Sequence, residues 1–239
     1  MAEDSNWGED TLKQKILKEY YKVKEMSPKE KFNYYMSYYF VLTLVIVTVT
    51  VCTVLIVKKV FFDKNEKIIA GTSLNVEFKN EGYDYINEGF TEYFKNNNEN
   101  VSKDAKASLG NGVMMKFNDN NEPLDSEYQD VMSFNTLLMG GEEDYILVGE
   151  DAIQYFGNQK YYKDLSEIVD AEFIEENKDK IVYFDSGETG NAIPSGINIT
   201  DTELVRDMVY TKEDIYLFFI EGSSHEKNDK MFLDYILKQ

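Results

Sequence analysis

The chain has 239 residues, of which 43% are hydrophobic, so it is long enough to bury one sizeable core. The net charge of −19 is uneven: residues 1–69 carry 11 lysines and nine acids, whereas residues 70–239 carry 14 basic residues and 35 acids. So acidic a C-terminal part argues against a nucleic-acid-binding protein, because it has no basic face for phosphates. The single cysteine is Cys52, which excludes disulfides and cysteine metal sites from residues 70–239.

Residues 1–37 are predicted to form a helical, cytoplasmic head. Between Thr11 and Met26, apolar residues recur at helical spacing with lysines between them. A second helix is predicted to begin at the stretch SPKE, residues 27–30, because its serine, proline and glutamate make a capping box.

Residues 38–62 are predicted to be a transmembrane helix with its flank. No charged residue lies between Lys31 and Lys58, and the twenty residues 38–57 would span roughly 30 Å as a helix, the thickness of a bilayer's hydrocarbon core. The many valines, isoleucines and threonines would favour a strand, but the length favours a helix. Aromatic residues bracket the segment, as at membrane interfaces. The alternative is a buried core helix.

The segment resembles a stable signal anchor more than a cleaved signal peptide, because it is long and no A-x-A-like site follows it. We expect a single-pass protein of the cell membrane, with residues 38–57 in the lipid bilayer. The short, lysine-bearing N-terminal segment favours a cytoplasmic N-terminus and an extracellular C-terminal domain. An exported domain without cysteine is compatible with the surface of a Gram-positive bacterium.

Short strands alternate with helices after residue 67. The predicted strands are 73–78, 112–117, 145–148, 181–184 and 215–220. The predicted helices are 85–94, 126–139, 151–156, 162–169 and 226–239. This alternation predicts an α/β domain over residues 68–239 with a mostly parallel sheet and crossover connections.

Five acids surround the apolar run YILV at residues 145–148, within the stretch 139–151. The run is typical of a central strand that is covered on both faces. Glu142, Glu143 and Asp144 precede it, while Glu150 and Asp151 follow it, at the other end of a strand roughly 13 Å long. One metal ion cannot bind both groups. The pattern favours solvated strand ends over a metal site or a catalytic pair.

Two other features suggest chemistry without defining a site. The acidic loop at residues 118–127 has oxygen ligands at alternate positions, but Pro123 and Gln129 stand where a calcium-binding EF-hand needs glycine and glutamate. His225 is the only histidine, and a Ser-His-acid site would require it to be buried and oriented. No hydrolase, zincin or P-loop motif is present. We therefore expect a non-enzymatic protein with no catalytic residues, metal or cofactor.

Several segments, in this order, resemble the extracellular solute-binding proteins that serve bacterial ABC importers. They are LLMGGEEDYILV at 137–148, YYKDLSEI at 161–168, NAIPSG at 191–196, and FIEGSS with FLDYI at 219–236. The resemblance implies a domain like a periplasmic binding protein, and the roughly 170 residues after the anchor suffice for a single lobe.

A solute site in such a domain is expected at the carboxyl ends of the strands, as in open parallel sheets generally. The predicted ligand-binding residues are Gly149, Glu150, Asp185, Ser186, Gly187, Pro194 and Ser195. The partner would be a small solute or a membrane protein. The alternative function is an assembly or signalling subunit that docks on another membrane protein or transporter. An enclosed polar pocket would favour the first function, and an exposed apolar patch the second.

Overall fold

The computed structural model describes residues 12–57, 67–99, 101–185 and 191–238. Contacts divide the chain into two compact units, Met1–Lys64 and Asn65–Gln239. The α/β domain that the sequence predicts at 68–239 lies within the second unit.

The described part of the first unit consists of three helices: α1 (Leu12–Glu25), α2 (Pro28–Tyr38) and α3 (Phe40–Val57). The predicted capping box is confirmed at the start of α2. The backbone N–H of Glu30 donates to Ser27 Oγ at 3.4 Å, and the backbone N–H of Ser27 donates to Glu30 Oε2 at 2.8 Å. Together these bonds satisfy two amide groups that a helix start leaves free.

Among the helices in the described ranges, α3 is the one that is long enough and apolar enough to cross a membrane. Its 18 residues have a mean hydropathy of 2.9 and none is buried. A core helix would be covered by other side chains, so the structure offers no support for the buried-helix alternative.

The described residues of the second unit contain six strands in one sheet. In chain order they are β1 (Lys67–Leu74), β2 (Lys106–Leu109), β3 (Tyr145–Gly149), β4 (Ile181–Asp185), β5 (Ala192–Asn198) and β6 (Ile215–Phe219). The spatial order is β2-β1-β3-β6-β5-β4. The helices are α4 (Asn80–Asp84), continued by a π-helical turn (Tyr85–Phe90) and α5 (Thr91–Asn97), then α6 (Tyr128–Met139), α7 (Ile153–Gln159), α8 (Ala171–Glu176), α9 (Glu203–Met208) and α10 (Asp229–Leu237).

The sheet is mixed, so the predicted α/β class is confirmed and the mostly parallel sheet is not. Strand β1 is parallel to β2 and to β3, whereas the β3–β6, β6–β5 and β5–β4 pairs are antiparallel. One physical reason is loop length. Six residues separate β4 from β5, too few for the crossover of a dozen or more residues that a parallel pair requires.

Strand β3 is the centre of the domain, as its continuous apolar run predicts. All five of its residues are buried. Tyr145 and Leu147 face a core that contains Phe90 and Phe232, while Ile146 and Val148 face a second core, which contains Phe134 and Phe156. Helices therefore cover the sheet on both faces, in three layers.

Several predicted element boundaries are wrong. The first strand ends at Leu74 rather than 78, because Asn75 takes the left-handed conformation, with φ of 56°, and turns the chain. Residues 112–117 form only isolated bridges, at Val113 and Phe117, and the second strand is β2 instead. Helices α8 and α9 are absent from the prediction. The predicted helix at 162–169 is reduced to one turn, Leu165–Glu167.

Candidate functional site

The predicted ligand-binding residues are divided between two ends of the sheet. Three successive antiparallel pairs connect β3 to β4, so β4 runs antiparallel to β3. The carboxyl ends of these two strands therefore lie at opposite ends of the sheet. Gly149 pairs with Ile215 at one end of the strands, and Asp185 pairs with Ala192 at the other end. Ser186 and Gly187 lie outside the described residues. The described residues of the predicted site are therefore not brought together, because the prediction depended on parallel strands.

Two of the predicted residues, Gly149 and Ser195, have structural roles. A Cβ on Gly149 would lie 2.7 Å from the backbone oxygen of Asn75, so the position requires glycine. Ser195 is fully buried, and its hydroxyl donates to the Ile193 carbonyl at 2.9 Å. Glu150 is exposed and Pro194 half-buried. None of these contacts points to a ligand.

A buried polar cluster, absent from the prediction, lies at the end of the sheet where β3 begins, opposite Gly149. It is built around Asp144, the residue directly before β3, whose side chain is fully buried. The Asp144 carboxylate accepts hydrogen bonds from the backbone N–H of Ala70 at 2.7 Å and of His225 at 2.9 Å. Its Oδ2 also lies 2.9 Å from His225 Nδ1. Asp144 thus holds three chain segments together, and the prediction that it is solvated is wrong.

The other acids of the stretch 139–151 differ from Asp144. Glu142, Glu150 and Asp151 are exposed, as predicted for wet strand ends. Burial raises the pKa of half-buried Glu143 above its ordinary value. Asp151 accepts a hydrogen bond from the buried Asn75 amide at 2.8 Å, but of the five acids only Asp144 is itself buried.

Antiparallel pairing brings Asp144 and His225 together across 81 residues of sequence. Strand β6 ends beside the start of β3, with Phe219 opposite Tyr145. The loop after β6 is fastened further by Ser224 Oγ, which donates to the Gly141 carbonyl at 3.1 Å. In an all-parallel sheet these segments would lie at opposite ends. The sequence signals were the single histidine and an acid directly before an apolar strand, but neither specified the pairing.

A second ionic group lies next to this cluster. Lys163 is buried, with its Nζ 3.3 Å from Glu226 and 3.7 Å from the fully buried carboxylate of Asp229. Within the described ranges, neither Asp229 carboxylate oxygen has a hydrogen-bond donor. Burial raises the pKa of Asp229 to about 7, with Lys163 opposing the rise and Asp144 adding to it.

Asp229 is expected to make the stability of the domain depend on pH. Its folded pKa, about 7, exceeds its ordinary value of 3.8, so the folded state retains a proton that the unfolded state releases in this window. The free energy of unfolding should therefore fall as the pH rises from about 4 to 7. Each pKa unit is worth about 1.4 kcal/mol, and after a discount for water penetration we expect a loss of about 2–3 kcal/mol.

Asp229→Asn should flatten this part of the pH profile, because asparagine has the same shape and no charge. Asp234→Asn is the matched control, since Asp234 is exposed on the same helix. Urea unfolding of residues 65–239 across this pH range measures the slope. Equal slopes for wild type and Asp229→Asn would show that another group causes the pH dependence.

His225 also forms part of the wall of a cavity of about 500 Å³. The cavity is lined by Lys67, Ile68, Phe94, Asn98, Glu99, Val101, Ala105, His225, Lys227 and Asn228. The His225 side chain is 22% exposed. Because its Nδ1 faces Asp144, Nε2 is the ring nitrogen left for a ligand. A neighbouring groove of about 880 Å³ shares Lys67 and adds Lys95 and Lys106.

The geometry provides two members of a hydrolytic triad, since a buried acid orients the histidine. None of the ten lining residues named above carries the hydroxyl or thiol that a Ser-His-acid or Cys-His arrangement uses. In the described part of the chain, no three His, Cys, Asp or Glu residues are grouped as metal ligands would be. The arrangement presents an oriented imidazole, two lysines and an apolar wall to a ligand.

Comparisons with known proteins found no match among protein-family models, curated proteins or solved structures. The class that the structure itself defines is a mixed-sheet α/β domain that follows a candidate membrane-spanning helix.

Proposed function

We propose that this chain is a non-enzymatic, single-pass membrane protein that displays a solute-binding-protein-like domain outside a bacterial cell. The observation that carries the proposal is the polar cavity beside His225, whose imidazole is oriented by buried Asp144. Oriented polar groups on a concave, partly apolar surface are characteristic of small-ligand sites. The N-terminus is cytoplasmic in this proposal, and the domain is a single lobe.

Helix α3 supports the anchoring part of the proposal. Eighteen residues rise about 27 Å, close to the hydrocarbon thickness of a bilayer. Protease treatment of intact cells that carry C-terminally tagged protein tests the orientation. Loss of the tag at the surface is the expected result, whereas a tag that is cut only after lysis would place the domain inside.

The cavity suits a small solute with an anionic group and a short apolar part. Lys67, which also pairs with Glu142 at the surface, and Lys227 bring positive charge to a cavity whose lining includes one acid, Glu99. Phe94, Ile68 and Val101 provide apolar wall area for the rest of the ligand. The His225 imidazole can donate or accept through Nε2 according to its protonation.

The single histidine makes the binding test specific. We expect one class among amino acids, dicarboxylates, sugars and short peptides to shift the imidazole NMR signals of the full chain in detergent. The same class should raise the melting temperature in a concentration-dependent way. Lys67→Gln should weaken this binding, while Lys212→Gln, an exposed lysine at a different surface, should leave it unchanged.

No shift with any class, from a chain that melts cooperatively, would contradict the solute-binding proposal. Calcium belongs in the same panel. Stabilisation by calcium alone would indicate the acidic loop at 118–127 as the site instead.

A second candidate function, docking on another membrane protein, is favoured by an exposed stripe on α6. Tyr128, Met132 and Met139 lie on one side of this helix and are 68%, 51% and 75% exposed. Flexible, polarisable methionine side chains suit adaptable protein contacts. If docking is the function, the double variant Met132→Lys and Met139→Lys should abolish cross-linking to a membrane partner. If solute binding is the function, the same variant should leave the solute-induced NMR shift unchanged.

A further inference from the structure

The membrane-proximal head has apolar side chains but no buried core. None of the described side chains in α1 or α2 is buried. In α1, Ile16 and Tyr20 are 59% and 60% exposed, and Val23 continues the same side of the helix. We refer to these three residues as the α1 stripe. Two helices alone gain little stability from packing when both leave their apolar residues uncovered.

Helix α1 packs antiparallel against α2, and Ile16 and Tyr20 lie away from that contact. The helices are joined by two residues, Met26 and Ser27. Glu19 accepts a hydrogen bond from Tyr34, and Lys22 Nζ lies 5.0 Å from the centre of the Tyr34 ring. At about 100° per residue, Ile16 and Tyr20 lie roughly 90–130° around α1 from the mean direction of Glu19 and Lys22, and Val23 lies roughly 70° from it. Helix α2 therefore leaves Ile16 and Tyr20 uncovered, in agreement with their exposure, while Val23 is half-buried.

The hairpin is joined to α3 with little interruption of helical hydrogen bonding. Tyr39 N–H donates to the Tyr35 carbonyl and Thr43 N–H to the Tyr39 carbonyl, both at 2.8 Å. Tyr34 thus lies about 9 Å along the axis from Phe40, at 1.5 Å per residue. Because α1 runs antiparallel, Ile16 lies roughly 4–5 Å closer to α3 than Glu19 does, whereas Tyr20 and Val23 lie roughly 1.5 and 6 Å farther from α3 than Glu19. If α3 spans the bilayer, Ile16 lies at the depth of the lipid headgroups and Val23 lies beyond them.

We infer that Ile16, at the end of the α1 stripe nearest α3, inserts into the headgroup region of the leaflet that α3 enters, so that lipid covers an apolar side chain that protein leaves bare. The inference rests on the proposed membrane span of α3. Apolar burial supplies the driving force, and aromatic residues at Tyr34, Tyr35, Tyr38 and Tyr39 suit the same depth. Residues 12–39 hold seven lysines and three glutamates, a net charge of +4 (7 − 3) in a chain of −19, which favours contact with a lipid surface.

Fluorescent labels at single cysteines test this depth in the full chain, reconstituted in phosphatidylcholine nanodiscs with or without phosphatidylglycerol. Ile16→Cys is placed in a Cys52→Ser background. We expect nitroxides on the lipid headgroups to quench the fluorescence of the label at this position. A water-soluble quencher should have little effect on it. Lys18→Cys in the same background is the matched control, because position 18 lies about 160° around the helix from Tyr20. Its label should be quenched by the water-soluble quencher and little affected by the headgroup nitroxides.

The native Cys52 separates this inference from the proposed span, because it is the only cysteine and lies within α3. A label there should be quenched by nitroxides on the acyl chains, and failure of that result would overturn the span. Quenching at Cys52 together with equal aqueous access at Ile16→Cys and Lys18→Cys would overturn only the inference. Protection of the Ile16→Cys label that persists in detergent, with cross-linking between chains, would show that a second copy covers the stripe and would overturn it too.

Discussion

Asp144→Ala is expected to lower the free energy of unfolding of residues 65–239 by about 3–5 kcal/mol, since each unsatisfied buried group costs about 1–3 kcal/mol. The Asp144 carboxylate is the acceptor for the backbone N–H groups of Ala70 and His225 and lies beside the His225 ring. Alanine would leave two amide donors without their acceptor at a position where the Asp144 side chain is fully buried. Urea unfolding monitored by circular dichroism measures the change.

Glu142→Ala provides the matched control, two residues before Asp144. The Glu142 side chain is 75% exposed and pairs with Lys67 at the surface. Such ion pairs are worth about 0–1 kcal/mol, so this variant should unfold almost as wild type does. Asp144→Asn should lie between the two, because one amide oxygen still accepts. Equal stabilities of Asp144→Ala and Glu142→Ala would show that Asp144 is not an internal acceptor.

Gly71→Ala is expected to destabilise the domain by about 3 kcal/mol, the upper part of the usual range for overpacking a core. The ring of fully buried Tyr145 lies directly over Gly71, where a Cβ would overlap it. The ring cannot move away easily, because its centre is 4.2 Å from that of Phe232 and its hydroxyl donates to the Ser108 carbonyl at 3.2 Å. The absence of a side chain at 71 thus lets Tyr145 reach across β1 to β2.

The control is Gly110→Ala, because a Cβ there would lie 3.5 Å from the Gly71 carbonyl oxygen, an ordinary contact. Its effect on the free energy of unfolding should be small. Adding Tyr145→Leu to Gly71→Ala should cost less than the sum of the two single changes, since leucine removes the overlapping ring. Strict additivity, or a neutral Gly71→Ala, would contradict the packing described for Tyr145.

Local patterns predicted the type of many elements. The capping box at Ser27, the uninterrupted apolar residues of α3 and the buried run of β3 each carry their signal within a few neighbouring residues. Boundaries were less predictable where one residue's conformation decided them. Asn75 ends β1 because asparagine tolerates a positive φ, although the apolar residues Val76 and Phe78 continue an alternating pattern beyond it.

The candidate site was less predictable than the fold, because it depends on strand direction. Placing Glu150 and Asp185 at one edge assumed that all strands run the same way. Antiparallel pairing at β6, β5 and β4 separates these two residues and instead joins Asp144 to His225. When one strand of a sheet runs in the opposite direction, its amino end lies where its carboxyl end would otherwise be. The alternation of apolar and polar residues along that strand is the same in both cases, so it does not reveal the direction.

The sequence by itself determined the apolar segment, the acidic α/β part and the central strand, because hydrophobic periodicity and charge are local properties. The tertiary structure alone decided which polar residues are buried together. Asp144 and Asp229 resemble the exposed acids around them in sequence, yet both are fully buried. Their burial comes from contacts between segments far apart in the chain, such as the 81 residues from Asp144 to His225, which no local pattern records.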